Sequence, residues 1–483
     1  LANPPFENFS GESRSWYEKR GVELRHINKT AEMLARVLPE LPSGAVLGVV
    51  VPQGFLHSKN ATPIRRLLTT DFELKEICLF PDKVFTFSDM ESAVLIARKK
   101  TEYAKASTTI RYRRVRERDI EKFRERYEVT SEAIVESSLF NSAEADLRVA
   151  DLHDLWNHCQ QFPRFRELAD IGQGLSYKGL DLPRNAMTFS ERHFSGAVRG
   201  FVWFDHDLRL DELPRSMWMN LAKTVVQRER HGTKVGVPQV LLNYAPVSRQ
   251  AWRLKGLIDS VGHAVTSRFV VVRPKSLIES PLEFIWALCN SPFANSFAFV
   301  SSDKRKNDAG MFREMPVPHL TNNGVKQVVA AARKYLDYVR RDPDAILQRQ
   351  PNPDKARTLL LRVDCEVLRM YDLPRELEWE LLKSFDGWPR EGVPFKFDRY
   401  FPEHFEGPIT LSEYLAITDD WPKTNDRRCE LIEKSIARTL TDAEKHEFDH
   451  LQSLAASRQD LIAPLPLKEL EALHRQLTQE LAE

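Results

Sequence analysis

A chain of 483 residues is longer than one ordinary hydrophobic core serves, so two to three domains are expected. With 42% hydrophobic and 29% charged residues it has the composition of a soluble globular protein, which excludes a disordered or fibrous chain. The net charge of +1 gives no global argument for a polyanionic partner, although twelve Lys/Arg face five Asp/Glu between Arg98 and Arg126.

The five cysteines (Cys78, Cys159, Cys289, Cys365, Cys429) are scattered, odd in number and never spaced as CxxC. Neither a metal site nor a disulfide framework follows, and a reducing cytoplasm is the expected location. Apolar runs such as "GAVLGVVVP" are too short to cross a bilayer, so no membrane partner is expected. The chain starts at Leu1 without Met and without a basic-then-apolar leader, and its true N-terminus is expected to be missing.

In chain order, the spacing of apolar residues predicts helix from Trp16 to Leu41. "GAVLGVVVP", between Gly44 and Pro52, reads as a strand buried on both faces, as in a parallel sheet. A helix at Pro63–Leu68 is followed by strands at Leu74–Phe80, Ala93–Ala97 and Thr109–Val115. This order suits the second half of a doubly wound α/β sheet, with the last two strands as an antiparallel hairpin at its edge. Residues 121–164 read as a polar helical connector. From Phe165 short strand-like runs broken by Gly and Pro predict an α+β domain to residue 322, in which "SPLEFIWALCNSPFANSFAF" is an apolar helix. Residues 323–483 read as mainly helical, interrupted by an aromatic, Pro-rich stretch, and Thr441 with Glu444 forms a predicted capping box.

One short motif near the start carries chemistry. An amine conjugated to a ring, such as N6 of adenine, is a poor nucleophile, and hydrogen-bond acceptors on its two hydrogens improve it. Asn3 offers a side-chain carbonyl and Pro4 a backbone carbonyl without a competing N–H. The Pro4–Pro5 pair stiffens the loop, and Phe6 offers a face for stacking an extruded base. Such acceptors act by geometry rather than basicity. By itself Asn-Pro also marks an ordinary turn.

"LANPPF", followed by "GAVLGVVVPQGFLHSK", "IRRLLTTDFELKEICLFPDKVF" and "ESAVLIARK", resembles the catalytic half of N6-adenine DNA methyltransferases. The likeness runs over residues 1–115 and is nearest to type I modification subunits and fused type II enzymes. It implies methyl transfer from S-adenosylmethionine to N6 of a flipped-out adenine, with Asn3, Pro4, Pro5 and Phe6 at the target amine. The family's cofactor-binding strands and Gly-rich loop precede this motif, and the GxG of "IGQGLSYKG" sits among strands rather than at a helix N-terminus. The resemblance therefore implies a half-Rossmann fragment, residues 1–120, with no cofactor-binding residues of its own and no autonomous activity.

Residues 165–322 resemble the target-recognition domains of the same restriction–modification systems. The implied partners are double-stranded DNA and a restriction, specificity or other defence subunit. Candidate DNA contacts are Lys59 and Asn60 after the first strand, then Lys178, Arg230, Lys234, Lys304, Arg305 and Lys306, with His231, Gln239 and Arg268 as further base- or phosphate-contacting candidates. For Lys59 and Asn60 an ordinary helix-capping loop is the competing reading, and for the others a solvated surface charge. "RYRRVRERD" suits a strand with one basic face, bordering DNA or lying at an exposed edge. A DNA-binding specificity module without methylation is the alternative function.

Overall fold

The computed structural model describes residues 1–463 except 83, 86–89, 102–107, 143, 150, 180, 183–185, 249, 302–305, 341–350 and 406. Two compact units divide the chain, Leu1–Val149 and Ala150–Glu483.

The first unit contains α1 (Gly11–Glu18), α2 (Lys29–Glu40), β1 (Val46–Pro52), α3 (Thr62–Thr70), β2 (Phe72–Phe80), β3 (Ser92–Lys99), β4 (Thr109–Arg114), α4 (Ile120–Arg126) and β5 (Ser131–Glu136). Its sheet runs β1-β3-β2-β4-β5. β3 is antiparallel to both β1 and β2, which are therefore parallel to each other, and β4 lies parallel to β2. One face of this sheet packs Val49, Val51, Ile77, Leu95 and Tyr112 against Leu34 and Leu38 of α2 and Ile64 and Leu68 of α3.

Several expectations change here. The predicted helix 16–41 is two helices, because Gly21 takes φ +68° and Asn28 starts a new helix as its N-cap. β1 is buried from Leu47 to Val49 and at Val51, with its first residue Val46 71% exposed, and β3, its neighbour along the whole strand, is antiparallel to it. The strands at 92–99 and 109–114 do not form a hairpin, since β3 is inserted between β1 and β2 while β4 joins the far side of β2. β5 falls in the stretch expected to be helical, and it makes β4 an interior strand. The cations of β4 are spent across strands, with Arg111 3.3 Å from Glu132 and Arg113 3.3 Å from Glu76.

The second unit begins with α5 (His153–His158) and α6 (Phe165–Leu168). Among the described residues ten short strands follow: β6 (Ala169–Gln173), β7 (Ser176–Tyr177), β8 (Phe189–Ser190), β9 (Ala197–Phe201), β10 (Met217–Asn220), β11 (Val226–Arg228), β12 (Gln239–Asn243), β13 (Gly256–Asp259), β14 (Ala264–Val265) and β15 (Phe269–Pro274). They form sheets β13-β12-β15-β6 and β14-β9-β10-β8 and a ribbon β11-β7. The predicted apolar helix breaks at Ser291 into α7 (Leu282–Asn290) and α8 (Pro292–Ser301), where Ser291 is extended and Pro292 opens the second helix. The remaining helices are α9 (Ala309–Arg313), α10 (Asn322–Val339), α11 (Pro353–Tyr371), α12 (Arg375–Lys383), α13 (Leu411–Ile417), α14 (Trp421–Ile436) and α15 (Asp442–Ile462). The capping box at Thr441 and Glu444 is present. No helix among the described residues is long and apolar enough to cross a membrane.

One hydrophobic core joins the β12–β15 sheet to α7, α8, α10 and α11. Within it lies an ion pair of Asp364 on α11 and Arg390, 1% and 3% exposed at the side chains. Arg390 also donates to the Asn290 carbonyl at 2.7 Å, Tyr400 donates to Asp364 at 2.8 Å, and the guanidinium lies 4.4 Å over Trp252. The aromatic, Pro-rich stretch 384–408 is thus tied to the helices by a satisfied charge, with Phe385, Phe397 and Tyr400 fully packed. Asp364→Ala strands the Arg390 charge and should cost about 3–5 kcal/mol of stability, measured by denaturant unfolding.

Glu378 on α12 is buried and accepts the Leu411 N–H at 2.6 Å. Burial pushes its pKa up to about 7. Between its unfolded value and pH 7 the folded state keeps a proton that the unfolded state releases, so stability falls as pH rises through this window. Glu378→Gln keeps an acceptor for Leu411 and should abolish that slope, raising stability at pH 8 by about 2–3 kcal/mol. Thermal midpoints of both proteins from pH 4 to 8 decide it; parallel curves would refute the shift.

Candidate functional site

The Asn3–Phe6 loop is placed by one parallel bridge. Ala2 donates to the Gly48 carbonyl at 2.9 Å and accepts from Val50 at 3.0 Å, pairing Ala2 with Val49 of β1. The chain leaves this bridge at the carboxyl edge of β1, the edge at which β2 also ends. In open α/β sheets ligands collect at that edge.

The loop is then fastened to the start of α2. Thr30 donates to the Pro5 carbonyl at 2.8 Å and Asn28 Nδ2 to the Phe6 carbonyl at 3.1 Å, while the Lys29 N–H donates to the Glu7 carbonyl at 3.0 Å. Asn28 Oδ1 meanwhile caps the helix through Ala31 N at 3.2 Å. Pro4 is buried, Phe6 half-buried, and Asn3 and Pro5 are exposed. Among the described residues, neither the Asn3 side chain nor the Pro4 carbonyl has a hydrogen-bond partner. The carbonyls of residues 5–7 are taken, whereas among the described residues those of Asn3 and Pro4 are not.

Lys59 and Asn60 are exposed in the turn after β1, also at the carboxyl edge. That turn is held by Arg65, a residue the sequence reading did not single out. Arg65 is 0% exposed and reaches the carbonyls of Phe55 at 2.9 Å, Ser58 at 2.7 Å, Glu144 at 2.7 Å and Ala145 at 2.8 Å. Its signal was its place on α3, one turn from Leu68 on the buried stripe. Burial lowers the pKa of His57 in the same turn, and the Arg148 charge adds to the effect.

In the second unit, Lys178 is half-buried and extends the β7–β11 ribbon through Val225 at 2.9 Å. Arg230 and Lys234 are exposed in the loop after β11, and His231 pairs with Asp170 at 2.9 Å. Arg268 is exposed before β15. Gln239 is not available to a ligand: it is 0% exposed, and its amide bridges Asp259 at 2.8 Å and Arg273 at 2.9 Å. Lys306 is half-buried, 4.0 Å from Asp308, while Lys304 and Arg305 lie outside the described residues. The glycines of "IGQG" belong to β6 and the turn after it, and no helix follows. A Cβ on Gly174 would fall 2.1 Å from the Thr266 carbonyl oxygen, so this glycine serves backbone packing. The described residues therefore do not fit a Gly-rich cofactor loop.

Asn28 separates two roles. Asn28→Asp retains an N-cap oxygen but loses the donor to Phe6, whereas Asn28→Ala loses both and should cost about 1–2 kcal/mol. Hydrogen exchange should therefore quicken across residues 1–10 in both variants, but across the first turn of α2 only in the alanine variant.

Residues 1–150 match the family model described as N-6 DNA Methylase. Among solved structures, a type I restriction enzyme modification subunit from Vibrio vulnificus YJ016 aligns at 17% identity over 29% of this chain and 33% of its own, with TM-score 0.22. The type I EcoKI M protein aligns at 23% identity over 23% of this chain and 24% of its own, TM-score 0.19. The type IIL restriction-modification enzyme MmeI, in complex with DNA, aligns at 10% identity over 80% of this chain and 56% of its own, TM-score 0.47. The chain thus spans about a third of the length of the Vibrio subunit. No curated protein matches it. Over its first 150 residues the chain is N6-adenine DNA methyltransferase-like.

Proposed function

We propose that this chain carries the target-amine half of an adenine-specific DNA N6-methyltransferase from a restriction–modification or related defence system. The observation that carries the proposal is the pair of unpartnered acceptors, the Asn3 side chain and the Pro4 carbonyl, on a loop whose next three carbonyls, those of residues 5–7, are engaged. An unpaired carbonyl on a buried residue such as Pro4 lacks compensation, which a donor from a ligand relieves. The exocyclic amine of adenine has two N–H donors, one for each acceptor, and accepting both draws the nitrogen lone pair out of conjugation. Phe6 gives a half-buried aromatic face for the extruded ring, a contact worth about 1–3 kcal/mol per base.

Members of the N-6 DNA methylase family use S-adenosylmethionine. Since the described residues do not fit its Gly-rich loop, the methyl donor is assigned to a segment other than these, and this part alone is inactive. The chain's own residues hold the amine and the duplex: Lys59 and Asn60 beside the loop, and Lys178, Arg230, Lys234, Lys304, Arg305 and Lys306 in the second unit, grip phosphates or read bases. The site is cytoplasmic in this reading.

The test is Asn3→Ala in the complete protein, assayed by labelled-methyl transfer to adenine in duplex DNA. Loss of one positioned acceptor should lower the rate about 100-fold with DNA affinity retained. Unchanged methylation would leave the second unit as a DNA-binding specificity module and remove Asn3 from the chemistry.

A further inference from the structure

The loop between β11 and β12 presents cations on a backbone fixed from beneath. Arg230 and Lys234 are exposed on it, and Arg228 is exposed at the end of β11 where it begins. On a loose loop such side chains attract phosphate without setting a register. This loop is not loose. Arg273 of β15, 3% exposed, donates from Nη2 to the His231 carbonyl at 2.8 Å, the Lys234 carbonyl at 2.9 Å and Gln239 Oε1 at 2.9 Å. Gly232 accepts from Val265 N at 3.0 Å, and a Cβ on it would lie 2.1 Å from Leu175 N and from the Val265 carbonyl oxygen. The His231 N–H donates to the Gln173 carbonyl at 3.1 Å, and its ring leaves no room for a side chain at Gly172. Arg230 itself sits at φ +45° and bonds the Gln173 side chain.

A second loop tip is tied to the first. The Gly236 N–H donates to the Gly262 carbonyl at 2.8 Å, and a Cβ on Gly262 would collide with the backbone of Val237. The two tips carry Val235, 44% exposed, and Val261, 64% exposed. Exposed methyl groups next to fixed cations are what the major groove rewards: guanine O6 and N7 accept from Arg or Lys, and the thymine methyl takes an apolar contact.

We propose that the clamped loop 228–235, with the Val261 tip, is the base-reading element of the second unit for double-stranded DNA. Arg230 and Lys234 meet base edges, and Arg273 is a positioning residue that holds their backbone without touching DNA. The proposal rests on the DNA-methyltransferase reading above. Its test separates the two. The full chain is equilibrated with a random-sequence duplex library and the bound DNA is sequenced. The wild type should enrich a motif. Arg230→Ala with Lys234→Ala changes only exposed side chains and should flatten the preference at one or more base pairs about tenfold. Arg273→Lys keeps a buried charge, but its ammonium ends one bond short of the Nη2 position that reaches all three acceptors, so it should flatten the same base pairs, with circular dichroism reporting a folded chain. An unchanged motif in the Arg230/Lys234 double variant overturns this proposal while leaving the methyltransferase reading in place. Absence of any enriched motif in the wild type removes DNA reading and this element together.

Discussion

Two hydrogen bonds decide where the candidate chemistry sits. Ala2 engages Gly48 and Val50, which makes the first residues a parallel neighbour of β1. A parallel neighbour exits at the same end as β1, so residues 3–6 emerge where β1 hands over to the turn at residues 53–60. An antiparallel contact would have sent the same four residues to the opposite edge, away from Lys59, Asn60 and the Arg65-braced turn. Because β3 runs antiparallel between β1 and β2, the ends of these two strands also converge on one edge. Gln53 then bridges that edge, donating to the Phe80 carbonyl at 2.8 Å.

The second unit uses buried polar side chains in place of missing strand partners. Residues 253–256 run through the core where no strand pairs with most of them. Asn295 Oδ1 accepts from Arg253 N at 2.9 Å and Leu254 N at 2.8 Å. Asn243 Oδ1 accepts from Lys255 N at 2.8 Å, and Asn290 closes a reciprocal pair with Gly256 at 2.8 and 3.0 Å. Three amides thereby do for this segment what a β-ladder does elsewhere, since a buried backbone group left unpaired costs free energy. The same segment carries Lys255 into the core, where its ammonium is capped by the His206 carbonyl at 2.5 Å and by that of Leu208. Sheet and helices are consequently joined by directional bonds as well as by apolar packing.

Elements with strong apolar patterning were legible in the sequence: α2, β1, β2 and β3 exist where their periodicity puts them, and the Thr441 capping box is formed. Pairing order was not, because periodicity reports that a segment is extended but not which strand lies beside it. β5 stayed hidden since only Val135 is buried along "SEAIVE", which leaves no alternation to read. Arg65, Arg273 and the three asparagines look like surface residues in a linear chain. Their burial depends on partners as far as 80 positions away for Arg65 and 42 for Arg273 and Asn295, and on carbonyls that composition never displays. The loop of residues 3–6 was picked out for the opposite reason: its motif is local, and its placement needs only one adjacent strand.

The prolines limit which partners the carbonyls of this loop can find. Pro4 and Pro5 bring no N–H groups, so the loop cannot satisfy its own carbonyls by turning back on itself. Donors must come from elsewhere, and the N-terminus of α2 supplies them: orphan or side-chain donors at Asn28, Lys29 and Thr30 take the carbonyls of residues 5, 6 and 7. Their reach ends one residue short. Pro4, pressed into the protein by its ring, has a carbonyl with no partner among the described residues, and Asn3 next to it has an amide in the same condition. A loop with an N–H at position 4 or 5 could close on itself and consume these acceptors. Without those donors the loop depends on the start of α2 for its hydrogen bonds, so the double proline acts less as a stiffener alone than as the reason that the Pro4 carbonyl is left for a donor from outside the loop.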